Sequence, residues 1–181
     1  IYEKRKPFTK RSDHCFHLHT DSVLWSKENL LNILIKKLPE RIKKIAWLDA
    51  DIIFENDNWA EEASEKLNHS PIVQLASTME RSDKTGQVYE YRMSIAKGYS
   101  RNHASFANVP VGPWGNPHNS YHPGMAWSAT RKFLSKVGLY EYDIIGGADV
   151  TMFFCFVSEN VIGVSPAHAR DWSGHHQSIF S

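Results

Sequence analysis

Apolar residues along this chain follow two rhythms, and the change from one to the other predicts its elements. Val23, Leu24, Leu30, Leu31, Leu34, Ile35 and Leu38 form a helical stripe. Thr20-Asp21-Ser22 offers N-cap oxygens before it, and Pro39 stops it. The next run, Ile45-Ala46-Trp47-Leu48, resumes after Asp49-Ala50-Asp51 as Ile52-Ile53-Phe54. A short, nearly all-apolar run predicts a strand buried on both faces. Asn58-Trp59 then opens a helix to about Asn68, with Ala60, Ala63 and Leu67 facing inward, and Pro71 to Ala76 reads as another buried strand.

Upstream, alternation over residues 14 to 19 (His-Cys-Phe-His-Leu-His) suggests a short strand, and Ile1-Tyr-Glu reads as the tail of one. Downstream the rhythm breaks. Glu80 to Gly86 is a charged turn, Gln87 to Lys97 fits a strand or a short helix, and Tyr99 to Ser120 is a long polar loop containing Trp114. His122 to Ser128 is a turn into a strand, Thr130 to Val137 a helix closed by Gly138. Behind Gly146-Gly147-Ala148, Asp149 opens an almost wholly apolar helix to about Val157, and Val161 to Val164 is a last short strand. Strands alternating with helices predict an α/β sandwich with a largely parallel sheet.

Composition narrows the classes. The 181 residues suffice for one domain with a real core, and 41% hydrophobic and 12% aromatic content argues against disorder. With 21 basic and 20 acidic residues the net charge is +1, so no nucleic-acid footprint is written into it. Two cysteines, Cys15 and Cys155, make neither a disulfide framework nor a thiolate metal site. No apolar run approaches the roughly 18 residues of a membrane span, and no signal-peptide pattern opens the chain. The expected setting is cytoplasmic.

Several residues invite chemistry. Asp49 and Asp51 stand at the end of a buried strand, where residues i and i+2 point the same way, so the two acids are expected to aim at one point and to suit a hard divalent cation. The plain alternative is an Asp-rich strand exit that caps backbone N–H groups. Lys27 lies at a helix start, where phosphate is attracted, or is simply solvated. Asp149, on a rigid helix start, is placed for a general base or for an N-cap. His14, His17 and His19 lack a further adjacent ligand, and the pair His175-His176 offers a metal ligand or a surface patch.

Lys27-Glu-Asn-Leu-Leu-Asn32, Trp47-Leu-Asp-Ala-Asp51, Gly124-Met-Ala-Trp-Ser128 and Gly138-Leu-Tyr-Glu-Tyr-Asp-Ile-Ile-Gly-Gly-Ala-Asp149 occur in one order. This set resembles the GT-A fold glycosyltransferases over roughly residues 20 to 155, and compact domains of bacteria and large algal viruses in particular. The resemblance implies a three-layer, Rossmann-like sandwich with a mixed, mainly parallel central sheet, forming one domain over residues 1–181 that lacks its first strand and C-terminal element or is minimal. It implies a nucleotide-sugar donor, a UDP-sugar first, and a glycan or glycoconjugate acceptor. It implies Mn2+ or Mg2+ held by Asp51 and Asp49 with His176 completing the shell, donor contacts from Lys27, Asn32, Asp49, Asp51 and Gly124, and Asp149 as the base of an inverting transfer. If the chain is viral, the setting is the host cytoplasm. Ala148 stands where the related pattern carries Glu, which leaves the acceptor open.

Two rival readings remain. A haloacid-dehalogenase-type phosphatase also uses Asp-x-Asp, but wants Thr or Val where Ile53 stands and a second Asp where Phe153 stands. A non-catalytic nucleotide-sugar-binding module would bind with metal and transfer nothing.

Overall fold

The computed structural model describes residues 16, 18–19, 21, 24, 26–101, 121–143 and 147–157. Helix α1 spans Lys27–Lys37, starting later than the N-cap residues 20 to 22 suggested. Glu28 in its first turn and Lys36 and Lys37 in its last complement the helix dipole. Leu38 leaves the helix in an extended conformation, ψ 142°, as the residue before a proline must. Strand β1 is Lys44–Leu48, α2 Trp59–Lys66, β2 Ile72–Gln74, β3 Thr78–Ser82, β4 Val88–Ser94, α3 Ile95–Arg101, β5 Tyr121–His122, β6 Ala126–Thr130, α4 Arg131–Val137 and α5 Ala148–Val157. The stretch 87–97 is thus a strand and then a helix, and the charged turn begins only at Asp83, after β3. Phe16, Leu18 and His19 are not in a strand. The expected strand at 161–164 and the loop 102–120 with Trp114 lie outside the described residues.

The chain is α/β; among the described residues there are two three-stranded sheets, ordered β1-β6-β2 and β3-β4-β5. In the first, β6 lies between the other two and pairs antiparallel with both, Trp47 opposite Trp127 and Val73 opposite Ser128. The largely parallel sheet expected from the strand–helix–strand rhythm is not what pairs. β1 and β2 do run the same way, but a strand from much later in the chain separates them. The only parallel pairing among the described residues joins β4 to β5. β1 is also not buried on both faces: Ile45 and Trp47 are buried while Ala46 and Leu48 are exposed. An edge strand with one covered face alternates in this way. Ile53 is 94% exposed, whereas Phe54 stacks on Trp59 at 4.4 Å and fastens α2 to the chain leaving β1.

The core gathers Ile35 of α1, Ile45 and Trp47 of β1, Trp127 and Ala129 of β6, Phe133 and Leu134 of α4, and Met152 and Phe153 of α5. Each large side chain contributes roughly 1.5–3 kcal/mol. Arg131 joins α4 to α1, donating from Nη1 to the Pro39 and Ile42 carbonyls and from Nη2 to those of Ile35 and Leu38, at 2.8 to 3.2 Å. The Ile35 and Leu38 carbonyls lie at the end of α1, where the helix itself supplies no donor, and those of Pro39 and Ile42 belong to the turn that follows. Asn32 does the same for residues 138–141: its Oδ1 accepts from Leu139 N, and its Nδ2 donates to Leu139 O and to Glu141, each at 2.8 Å.

Candidate functional site

The first residue of α1, the turn after β1, the turn before β6 and the first turn of α5 converge. Lys27 Nζ donates to Asp49 Oδ1 at 2.6 Å and lies 3.9 Å from Asp149 Oδ2. Three of the residues singled out in the sequence therefore meet. Burial works against the charge of Lys27, but the hydrogen bond to Asp49 and the fields of Asp149, Asp49 and Glu28 outweigh it, raising its pKa. Glu28 is itself buried beside them, 4% exposed.

Gly124 makes room for Asp149. A Cβ built on residue 124 would stand 2.5 Å from Asp149 Oδ2 and 3.6 Å from His122 Cε1. Asp149 Oδ1 is buried with no hydrogen-bond partner among the described residues. Burial, reinforced by Glu28 and Asp49 and opposed by Lys27, pushes the Asp149 carboxyl up to about 6. Asp149 sits in the first turn of α5 rather than capping it; Gly147, at φ 110°, accepts from Val150 N instead.

The turn carrying Gly124 is held from several sides. Ala126 N donates to Gly124 O at 3.2 Å across Met125, whose φ is 78°. That i to i+2 bond with positive φ marks a strained three-residue turn. Asp49 N donates to Met125 O at 2.8 Å, tying the acid to the same turn. Gln74, at the end of β2, donates from Nε2 toward the carbonyls of His122, Pro123 and Gly124 at 3.1 to 3.3 Å, while its Oε1 accepts from Ala96 N at the start of α3. Trp127 Nε1 donates to Pro123 O. Gly124 N donates to His122 Nδ1, which places the neutral ring's proton on Nε2. Burial first, then the charges of Arg81 and Arg92, lower the His122 pKa.

Asp51 lies elsewhere. β1 ends at Leu48, so Asp49 and Asp51 are both past the strand and its two-residue repeat no longer aims them together. Asp51 is exposed in the turn, with no hydrogen bond or ion pair among the described residues. Asn32 is engaged with Leu139 and Glu141. His176 falls outside the described residues, as do His175, His14 and His17. Among the described residues no group of three His, Cys, Asp or Glu side chains is gathered for a metal, and no helix is long and apolar enough to cross a membrane.

Gln74 and His122 were not singled out for function in the sequence. Gln74 had a signal, as the polar residue inside Ile-Val-Gln-Leu-Ala, since a polar side chain in a buried strand needs partners. Comparison with protein-family models, with curated proteins and with solved structures finds no match.

Proposed function

We propose that this chain is a metal-dependent glycosyltransferase of the GT-A kind, moving a sugar from a nucleotide-sugar, a UDP-sugar first, to a hydroxyl acceptor with inversion. One observation carries the reading: a carboxylate at the start of α5, poised at about 6, with one oxygen lacking a hydrogen-bond partner among the described residues and the other over a residue without a side chain. A base of that affinity is mostly ionised at neutral pH yet binds a proton more readily than an ordinary aspartate. Asp149 takes the proton of the acceptor hydroxyl as the oxygen attacks the sugar. Lys27 holds Asp49 and faces Asp149, so it keeps two acids side by side and keeps Asp149 ionised.

The residues present fit a divalent cation in donor chemistry. Asp51 is an exposed carboxylate with no partner among the described residues, and Asp49 has one oxygen bonded to Lys27 and the other without a bond among them. Hard oxygen donors of this kind suit Mn2+ or Mg2+. When bound, the cation supplies Lewis-acid stabilisation of the charge that builds on the departing diphosphate. Asn32 supports the fold around the site through Leu139 and Glu141, and we do not place it on the donor.

The test is a screen of UDP-, GDP- and CMP-sugars for manganese-dependent thermal stabilisation, followed by transfer assays with Asp149→Asn. The expected outcome is stabilisation by one nucleotide class, retained in the variant, with transfer lost. No shift with any nucleotide overturns the donor site, and stabilisation without transfer in the parent protein makes it a binding module.

A further inference from the structure

The face of the second sheet that adjoins the acids carries charge of the opposite sign. Glu90, Arg92 and Ser94 alternate onto one side of β4. Register places Arg81 opposite Glu90 and His122 opposite Ser94, so all five share that side. Glu90 accepts from Arg92 at one carboxylate oxygen and from Arg81 Nη1 at the other, 3.2 Å away. One carboxylate between two guanidinium groups leaves an uncompensated positive charge. The Arg92 side chain is only 15% exposed while that of Arg81 is half-exposed, so the Arg92 end of the cluster lies largely out of water, where charge is costly until an anion meets it. Arg92 Nη1 and Arg81 Nη2 have no partner among the described residues. His122 links this cluster to the acids: it feels the charges of Arg81, Arg92 and Asp49, and shares with Asp149 the space above Gly124.

We propose that this face is a binding subsite for an oxyanion, the carboxylate of an acidic sugar or a phosphate monoester, carried by the same molecule that offers its hydroxyl to Asp149. Arg92 and Arg81 take the anion, since a guanidinium fork matches two oxygens at once. His122 Nε2–H donates to the part of the molecule between anion and hydroxyl. The assignment of this molecule as the acceptor rests on the transferase reading; the binding of the anion does not.

The experiment titrates methyl β-D-glucuronide, glucose 6-phosphate and methyl β-D-glucoside into the full chain while the His122 ring is followed by NMR, its signals assigned with His122→Gln. A saturable shift is expected with at least one of the two anions, and none with the neutral glycoside; the responding anion tells carboxylate from phosphate. Arg92→Gln should weaken binding about tenfold, the size of one charge-assisted pair. Arg81→Gln, at a half-exposed position that does not threaten folding, should weaken it about threefold. The subsite is overturned if neither anion moves His122, if the glucoside binds equally well, or if the folded Arg variants bind like the parent. UDP with Mn2+ is read on the same samples by thermal stabilisation. Its failure beside intact anion binding removes the donor reading and leaves the subsite standing, while the reverse removes the subsite alone.

Discussion

The Asp149 carboxylate occupies the space that any side chain on residue 124 would need: its Oδ2 stands 2.5 Å from the position of a Cβ there. No real contact is that short, and the neighbour is a buried acid on a helix start rather than a flexible tip. Gly124→Ala should therefore displace Asp149 or shift the turn before β6, destabilising the fold by about 1–3 kcal/mol. Transfer should fall more steeply than stability, because the displaced group is the proposed base. Chemical denaturation alongside kcat measurements checks both halves, and an alanine variant with full activity would remove Gly124 from the site.

The pH dependence follows from the sign of the Asp149 shift. Its folded value, about 6, lies above its ordinary value of 3.8. The folded protein therefore binds the proton more tightly, and the resulting stability is fully present below the ordinary value. It is lost as pH rises through about 6. At roughly 1.4 kcal/mol per unit, parent protein should lose about 2 kcal/mol relative to Asp149→Asn between pH 4 and pH 7. Activity should run the opposite way, with kcat/KM rising through about pH 6 and then levelling. Denaturation midpoints of the two proteins across that range, and a pH–rate profile, measure these trends.

Lys27→Met removes the cation between Asp49 and Asp149 while keeping most of the side-chain volume. The attraction that keeps Asp149 ionised disappears, and two acids with Glu28 behind them face each other. The Asp149 titration should move upward, and the rising limb of the pH–rate profile should move with it. Carboxyl NMR of Asp149 reads this without relying on turnover; a downward or absent shift would refute the role given to Lys27.

Gln74→Met removes a side chain that joins β2, the turn at 122–124 and α3. Leaving those buried carbonyls and Ala96 N unpaired should cost about 2–3 kcal/mol. Freeing the turn should admit water beside Asp149 and lower its titration toward the ordinary carboxylate range. Ile72→Ala, on the same strand but away from the turn, should lose comparable stability and leave the Asp149 titration in place. Equal titration in both variants would make Gln74 a stabilising residue without influence on the acid.

The sequence and the structure agree where chemistry is local. The stripe through Leu31 and Ile35 made a helix, Pro39 ended it, and Asp149 came at the start of an apolar helix. They part where the outcome depends on residues far away in the chain. Trp47 and Leu48 are apolar in both readings, but only the core built by Ile35, Phe133 and Phe153, from helices before and after β1 in the chain, decides that Trp47 is buried and Leu48 is not. Periodicity reports which faces of an element are apolar; it is silent on the direction and the partner of a strand in its sheet. In the same way Asp49 and Asp51 read as a pair, but β1 ends before either, and Lys27 claims one of them. Lys27, Asp49, Asp149 and Gly124 stand out in the sequence itself; Gln74 and His122 gain their meaning only from carbonyls and charges brought by other segments.

The placement of β6 between β1 and β2 sets an order of assembly. During synthesis β2 ends 52 residues, and β1 78 residues, before the strand that joins them begins. Until then each presents an unpaired edge, and Trp47 waits for Trp127. Long-range pairing of this kind is slow and leaves strand edges open to association. The Lys27–Asp49 contact can form early, whereas the Gly124–Asp149 contact must follow closure of the sheet. Acquisition of the base should thus be a late folding event, so a nascent or partly refolded chain would recover its proposed cation and nucleotide contacts before it recovers any ability to turn over.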